Sequence, residues 1–315
     1  MSNDISSLRG FRLKNEATEG TFESLVAADT VLLLDGATAQ IESDPLIRNL
    51  ARPNGGAPPM VPIRRRLRIS GEMELVGPAT PGEALPYSDL IKTCGHIETL
   101  APSGTPPTTT IQPTLQNIPA SSAEYFFAGE RYRGVGGRGR VTSINWAIND
   151  YAKIGIEYLA KVESFAEAAV PSDDQSTFQA PTVLNEGSLT FSVAGVDLEM
   201  ISLALSEGTN VVLAYSSENT TSFRAGRELT GTLRIYRPTI AALAVRQLAS
   251  AGTIVAAALT VDDPAAARKH NVALGEVQIG EPTNVDVDGR RAWDLPIRLL
   301  PGTSGNADYV IEFGD

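Results

Sequence analysis

One eight-residue pattern occurs twice in this chain. Arg68-Ile-Ser-Gly-Glu-Met-Glu-Leu75 and Glu228-Leu-Thr-Gly-Thr-Leu-Arg-Ile235 both read polar, apolar, hydroxyl, Gly, polar, apolar, polar, apolar. Gly71 and Gly231 are 231 − 71 = 160 positions apart, close to half of 315 residues. Alternation with period two makes each copy a strand with one apolar and one polar face. Recurrence at half the chain length points to two copies of one structural unit.

Two more landmarks keep nearly the same offset. Gly36 and Gly195 follow strands (195 − 36 = 159), and Gly95 and Gly252 stop expected helices (252 − 95 = 157). The first helix is expected over Gly82–Cys94, with Tyr87, Leu90, Ile91 and Cys94 on one face. The second opens at Pro238-Thr239 and carries Ile240, Leu243, Ala244, Leu248 and Ala251 on one face. Strands are expected over 30–34, 37–48, 63–76, 123–128, 140–149 and 153–162. In the second half they are expected over 188–193, 253–261, 272–279, 284–287, 292–299 and 309–313. The fold class is therefore mainly β: two tandem β-sandwich or barrel units, each with one flanking α-helix. Residues 1–27 read as an N-terminal arm, 28–165 as the first unit, 166–185 as a linker and 186–315 as the second unit.

Composition narrows the function classes. A hydrophobic fraction of 42% and a charged fraction of 20% describe a globular chain rather than a disordered one. A net charge of −11 disfavours gripping nucleic acid, which needs Lys and Arg clusters. The single Cys94 leaves no disulfide framework within one chain and suits a reducing cytoplasm. Met1–Gly10 has no apolar signal core, and the most apolar stretch, 239–261, is interrupted by Arg246, Gln247 and Gly252. Neither reads as a membrane segment.

The search for chemistry is mostly negative. His96 and His270 are the only histidines, far apart in sequence, and read as surface or helix-end residues. No Cys/His cluster suits zinc, Cys94 reads as a small core residue, and no phosphate loop or nucleophile elbow occurs. Arg133-Gly-Val-Gly-Gly-Arg-Gly-Arg140 has the glycine spacing of a dinucleotide loop, but a Trp-bearing strand follows where a helix is needed, so it reads as a turn. Arg64, Arg65, Arg66 and Arg68 form the densest basic patch, without the interleaved aromatics of a nucleic-acid site, and are expected to pair with carboxylates on a neighbouring strand or subunit. No enzyme, cofactor or metal site emerges.

The cassettes instead suggest a wall. Arg66, Arg68, Ser70, Glu72 and Glu74 share the polar face of the first, and Glu228, Thr230, Thr232 and Arg234 that of the second. Sheets of this kind leave edges that copies of the chain can satisfy head to tail, and a ring removes them altogether. An acidic polar lining would let a polyanion pass. The Pro/Gly-rich loop Arg52, Pro53, Asn54, Gly55 and Gly56 would project from the sheet.

The order Val31-Leu-Leu-Leu-Asp-Gly36, Arg48-Asn-Leu-Ala-Arg-Pro53, the Arg68–Leu75 strand, the Leu85–Gly95 helix and the Gly137-x-Gly139-x-Val141 strand entry resembles the tail tube proteins of long-tailed bacteriophages. The resemblance implies a β-sandwich with a flanking helix, and stacked six-fold rings around a lumen for DNA and tape-measure protein. It also implies that loops and terminal arms, here the loop Arg52, Pro53, Asn54, Gly55 and Gly56 and the N-terminal arm, join successive rings. A place in the virion tail after assembly in the host cytoplasm, a tail terminator as a further partner, and no membrane are implied as well. This chain departs from the simplest members in holding two units, so three chains could make a pseudo-six-fold ring, against six for single units. Two rivals are a fibre or adhesin module and an enzyme on a β-sandwich. The first lacks a Trp- and Tyr-rich loop at 6% aromatics, and the second lacks His and metal constellations.

Overall fold

The computed structural model describes residues 9–47, 59–172, 174–216, 220–263, 268–302 and 308–314. The first half contributes β1 (Arg9–Asn15), β2 (Thr38–Ile47), β3 (Met60–Glu74), α1 (Ser88–Thr93), β4 (His96–Ala101), β5 (Thr108–Pro113), β6 (Ser121–Phe127), β7 (Glu130–Ala147) and β8 (Lys153–Glu167). The second contributes β9 (Leu189–Val193), β10 (Val196–Asp197), β11 (Met200–Glu207), β12 (Asn210–Tyr215), β13 (Thr220–Ala225), β14 (Leu229–Tyr236), α2 (Val245–Ala251), β15 (Ile254–Asp263), β16 (Arg268–Ile279), β17 (Thr283–Val287), β18 (Arg290–Leu299) and β19 (Val310–Gly314). The protein is mainly β, and its ladders are antiparallel.

Strand pairing follows the same series in both halves. In the first the neighbours run β1-β6-β7-β8-β3-β2; in the second they run β9-β15-β16-β18-β14-β11. The repeated cassettes lie in β3 and β14. Gly71 faces Ile156 of β8, and Gly231 faces Ile297 of β18. Both glycines are there for space: a Cβ on Gly71 would stand 2.8 Å from the Ala37 Cβ, and one on Gly231 only 2.5 Å from the Ala204 carbonyl oxygen.

The halves are joined through β7. Its first part pairs with β6 up to Gly137, and its last part, Ser143–Ala147, pairs with β11. A single sheet therefore runs β2-β3-β8-β7-β11-β14-β18-β17 through the molecule. One face of it is apolar without interruption. Leu67, Ile69 and Met73 meet Ala160, Tyr158 and Ile154; Ile144 and Trp146 meet Leu205 and Leu203; Leu233 and Ile235 meet Leu295 and Trp293. All are buried in one cluster with residues of both helices, against which β5, β15, β16 and β19 also pack.

Several expectations need correction. The arm contains β1, whose Phe11 and Leu13 are core residues, because β6 offers it a full ladder. The expected strand 30–34 forms no regular ladder; it has an isolated bridge from Thr30 to Arg12, a Val31 N–H bond to the Phe11 carbonyl at 2.8 Å and a Leu34 N–H bond to the Glu72 carbonyl at 2.7 Å. The first helix is shorter than expected, since Pro86 lacks an N–H and biases Leu85 away from helix. The second starts at Val245, after a separate turn in which the Ala242 and Leu243 N–H groups bond the Thr239 carbonyl, leaving Ile240 exposed. Two short strands, β4 and β5, occur where no strand was expected. The stretch 133–140 is not a turn. It lies inside β7, where a Cβ on Gly137 or Gly139 would overlap the Tyr158 ring or the Cys94 sulfur. The linker is tied to the first half by the Tyr151–Val183 bridge and an Arg12 bond to the Ser172 carbonyl, 2.7 Å.

Candidate functional site

The polar face of the eight-stranded sheet is crossed by a ladder of charges. In β3, Arg66 donates through Nε to Glu42 of β2 at 2.7 Å, and Arg68 reaches the other Glu42 oxygen at 2.8 Å. Arg68 also bonds Glu157 of β8, which takes a second arginine, Arg140 of β7, at 2.7 Å. Arg140 continues to the Thr209 carbonyl of the second half at 2.5 Å. The strands are spaced at about 4.8 Å, so alternate residues on neighbouring strands meet on one face. The bond from Arg66 holds the Glu42 carboxyl below its usual range, and Glu42 in turn raises Arg66.

The second half continues the face with fewer charges. Arg234 of β14 grips Asp294 of β18 with two bonds, 2.6 and 2.8 Å, and this lowers the Asp294 carboxyl. Arg298 meets Glu228 at 2.9 Å with both side chains largely exposed. Thr230 and Thr232 face Ser206 and Ala204 of β11.

The structure thus brings Arg66, Arg68, Ser70, Glu72, Glu74, Glu228, Thr230, Thr232 and Arg234 onto one face. Arg64, Arg66 and Arg68 of the arginine patch pair with neighbouring carboxylates, as the composition suggested. Sequence reading missed Glu42, Arg140, Glu157 and Asp294, whose only local signal is their polar place in an alternating strand. The loop Arg52, Pro53, Asn54, Gly55 and Gly56 lies outside the described residues.

A second feature sets the halves apart. The β12–β13 hairpin forms its own two-stranded sheet and packs on β7 and β8 of the first half. Ser222 Oγ donates to the Gly136 carbonyl at 2.6 Å, and Tyr215 OH to the Arg64 carbonyl at 3.0 Å. Arg224 passes over Gly95, the residue after the α1 cap, and pairs with Glu207 at 2.5 Å with both side chains almost fully buried. Burial pushes the Glu207 carboxyl up against the pull of Arg224.

Both histidines belong to the core instead of the surface. His96 Nε2 lies 2.6 Å from Tyr309 OH, and Trp146 Nε1 donates to His270 Nε2 at 3.3 Å. Burial lowers them to about 3 and about 4, so both are neutral. Cys94 is buried, and burial raises its thiol to about 12. Among the described residues no group of three or more His, Cys, Asp or Glu is placed to hold a metal ion, and no helix is long and apolar enough to cross a membrane. No protein-family model matches the chain, and no curated protein matches it in sequence.

Proposed function

We propose that this chain is a structural subunit that assembles head to tail into rings, and that stacked rings form a phage-type tail tube through which DNA passes. The observation that carries the reading is the sheet β2-β3-β8-β7-β11-β14-β18-β17. It buries one face, presents ion pairs on the other, and ends at β2 and β17, strands that among the described residues have a partner on one side only. Unpaired edges of this kind are templates for another chain. The β7–β11 ladder shows how one half can continue the sheet of the other; β17 of one copy meeting the β2 edge of the next repeats that join between chains.

On this reading the two halves are copies of one unit, supported by the matching pairing series and the shared landmarks. Three chains would then close a barrel of 3 × 8 = 24 strands, and closure leaves no edge. The polar face would line the lumen. Arg66, Arg68, Arg140 and Arg234 are already engaged by carboxylates there, so passing phosphates gain little by stopping. Electron microscopy and native mass measurement of the purified protein test the proposal. Rings or hollow filaments with three chains per ring support it, six chains per ring overturn the duplicated-subunit arrangement, and dispersed monomers overturn the assembly itself.

A further inference from the structure

The β12–β13 hairpin has a counterpart in the first half. Both hairpins lead into a cassette: β2 passes through its turn into β3, and β11 passes through β12 and β13 into β14. Arg64 and Arg224 each stand seven residues before the aligned glycine (71 − 64 = 7 and 231 − 224 = 7). Arg224 is sealed against Gly95 of the same chain, whereas the Arg64 side chain is 57% exposed, 3.9 Å from Asp44 and 5.6 Å from the centre of the Tyr215 ring of β12. The end of the β2–β3 hairpin carries apolar cross-strand pairs, Leu46 with Val61 and Ile47 with Met60, all about half exposed or more. Singly exposed apolar residues are ordinary; four together at a strand end form a contact surface.

A place for this hairpin exists on the second half. Gly252, at the C-cap of α2, corresponds to Gly95 and adopts φ 62°, a left-handed conformation that glycine accepts without strain. Its nearest neighbour on the Cβ side is the flexible Gln278 side chain, where Gly95 has Arg224. Two residues on, Ile254 is 51% exposed. Charge agrees with the fit. Residues 38–70 hold six arginines and two acids, net +4, while residues 186–315 hold ten basic and sixteen acidic residues, net −6. A cation is also favoured at the carbonyl end of a helix.

We propose that the β2–β3 hairpin of one copy docks on the second half of the next. Arg64 covers the C-terminal end of α2 at Gly252, and Leu46, Ile47, Met60 and Val61 pack around Ile254. The occupant is a second copy of this chain, because the same chain already makes the corresponding contact internally through β12–β13 and because the charges of hairpin and receiving half are opposite. This rests on the self-assembly reading and adds which surfaces meet within a ring.

Two measurements on the full chain test it. The double charge reversal Arg64→Glu with Arg65→Glu alters exposed side chains; the variant should melt as the unaltered protein does and sediment as single chains where that protein forms rings. In a second variant, Arg64→Cys with Ser250→Cys, mild oxidation should join separate chains covalently, and the buried Cys94 should take no part. Rings that form with the charge-reversed chain, or rings of the cysteine variant without a cross-link between chains, overturn the hairpin contact and leave assembly standing. An unaltered protein that stays monomeric at high concentration overturns the assembly reading and this contact with it.

Discussion

The two hairpins that lead into the cassettes occupy equivalent places and have opposite fates. The β12–β13 hairpin is held against the first half, and its Arg224 is buried with Glu207. The β2–β3 hairpin leaves Leu46, Ile47, Met60 and Val61 about half exposed or more, pairs Arg66 and Arg68 with Glu42, and meets the other hairpin where Arg64 lies over the Tyr215 ring. The β2–β3 ladder runs out to Ile47 and Met60 with one register shift between Glu42 and Asp44, whereas β13 and β14 are separated at Gly226, which takes a positive φ and lets the β12–β13 hairpin fold onto a neighbour.

Stability measurements can break this comparison, and the largest effect is expected at Arg224. Arg224→Ala leaves the Glu207 carboxylate buried alone and should cost about 3–5 kcal/mol in urea unfolding. Arg64→Ala in the isolated chain should fall within about 0.5 kcal/mol, since its side chain is exposed. Equal losses would erase the distinction between docked and free hairpins. Acid should strain both halves alike, because each buries one neutral histidine. Unfolded histidine takes its proton near pH 6.5, whereas the folded groups resist until about 3 and about 4. Their stabilisation is complete above pH 6.5 and declines as pH falls towards those values, by about 1.4 kcal/mol per pH unit from each. Thermal melting between pH 7 and 5 should show that slope, and His270→Gln should reduce it; an unchanged slope would count against buried neutral histidine.

Smaller effects separate the two cassettes. Gly231→Ala should cost about 1–3 kcal/mol through overpacking. Gly71→Ala should cost less, because the intruding methyl meets another methyl in place of a backbone oxygen. The reverse order would show that the cassettes are packed differently from their geometry here. Least of all, Glu157→Gln should weaken the ladder between Arg68 and Arg140 by up to about 1 kcal/mol, less in high salt. A loss independent of salt would point to packing instead of charge.

Much of the architecture was legible in the sequence because alternation is local. The strands of the cassettes, the inward set Ile69, Met73, Leu75, Leu229, Leu233 and Ile235, and the glycine landmarks all follow from residues within one or two strand lengths. The arginine patch was also legible, since alternation puts Arg66 and Arg68 on one face and carboxylates were the natural neighbours. The histidines were misread because nothing beside His96 in sequence announces Tyr309, nor does anything beside His270 announce Trp146. β1 was misread for the same reason: Phe11 and Leu13 become core only when β6, more than a hundred residues later, pairs with them.

The sequence alone determined the alternation of the cassettes, their spacing of 160 residues, and hence a mainly β protein. Local sterics and the two-residue period of a strand suffice for that. Only the tertiary structure decided that β7 leaves β6 and takes up β11, that the β12–β13 hairpin packs on β7 and β8, and that the sheet of described residues ends at β2 and β17. Those outcomes depend on which distant strands find each other, and hydrogen-bonding groups on every strand are chemically alike, so packing across the whole core makes the choice.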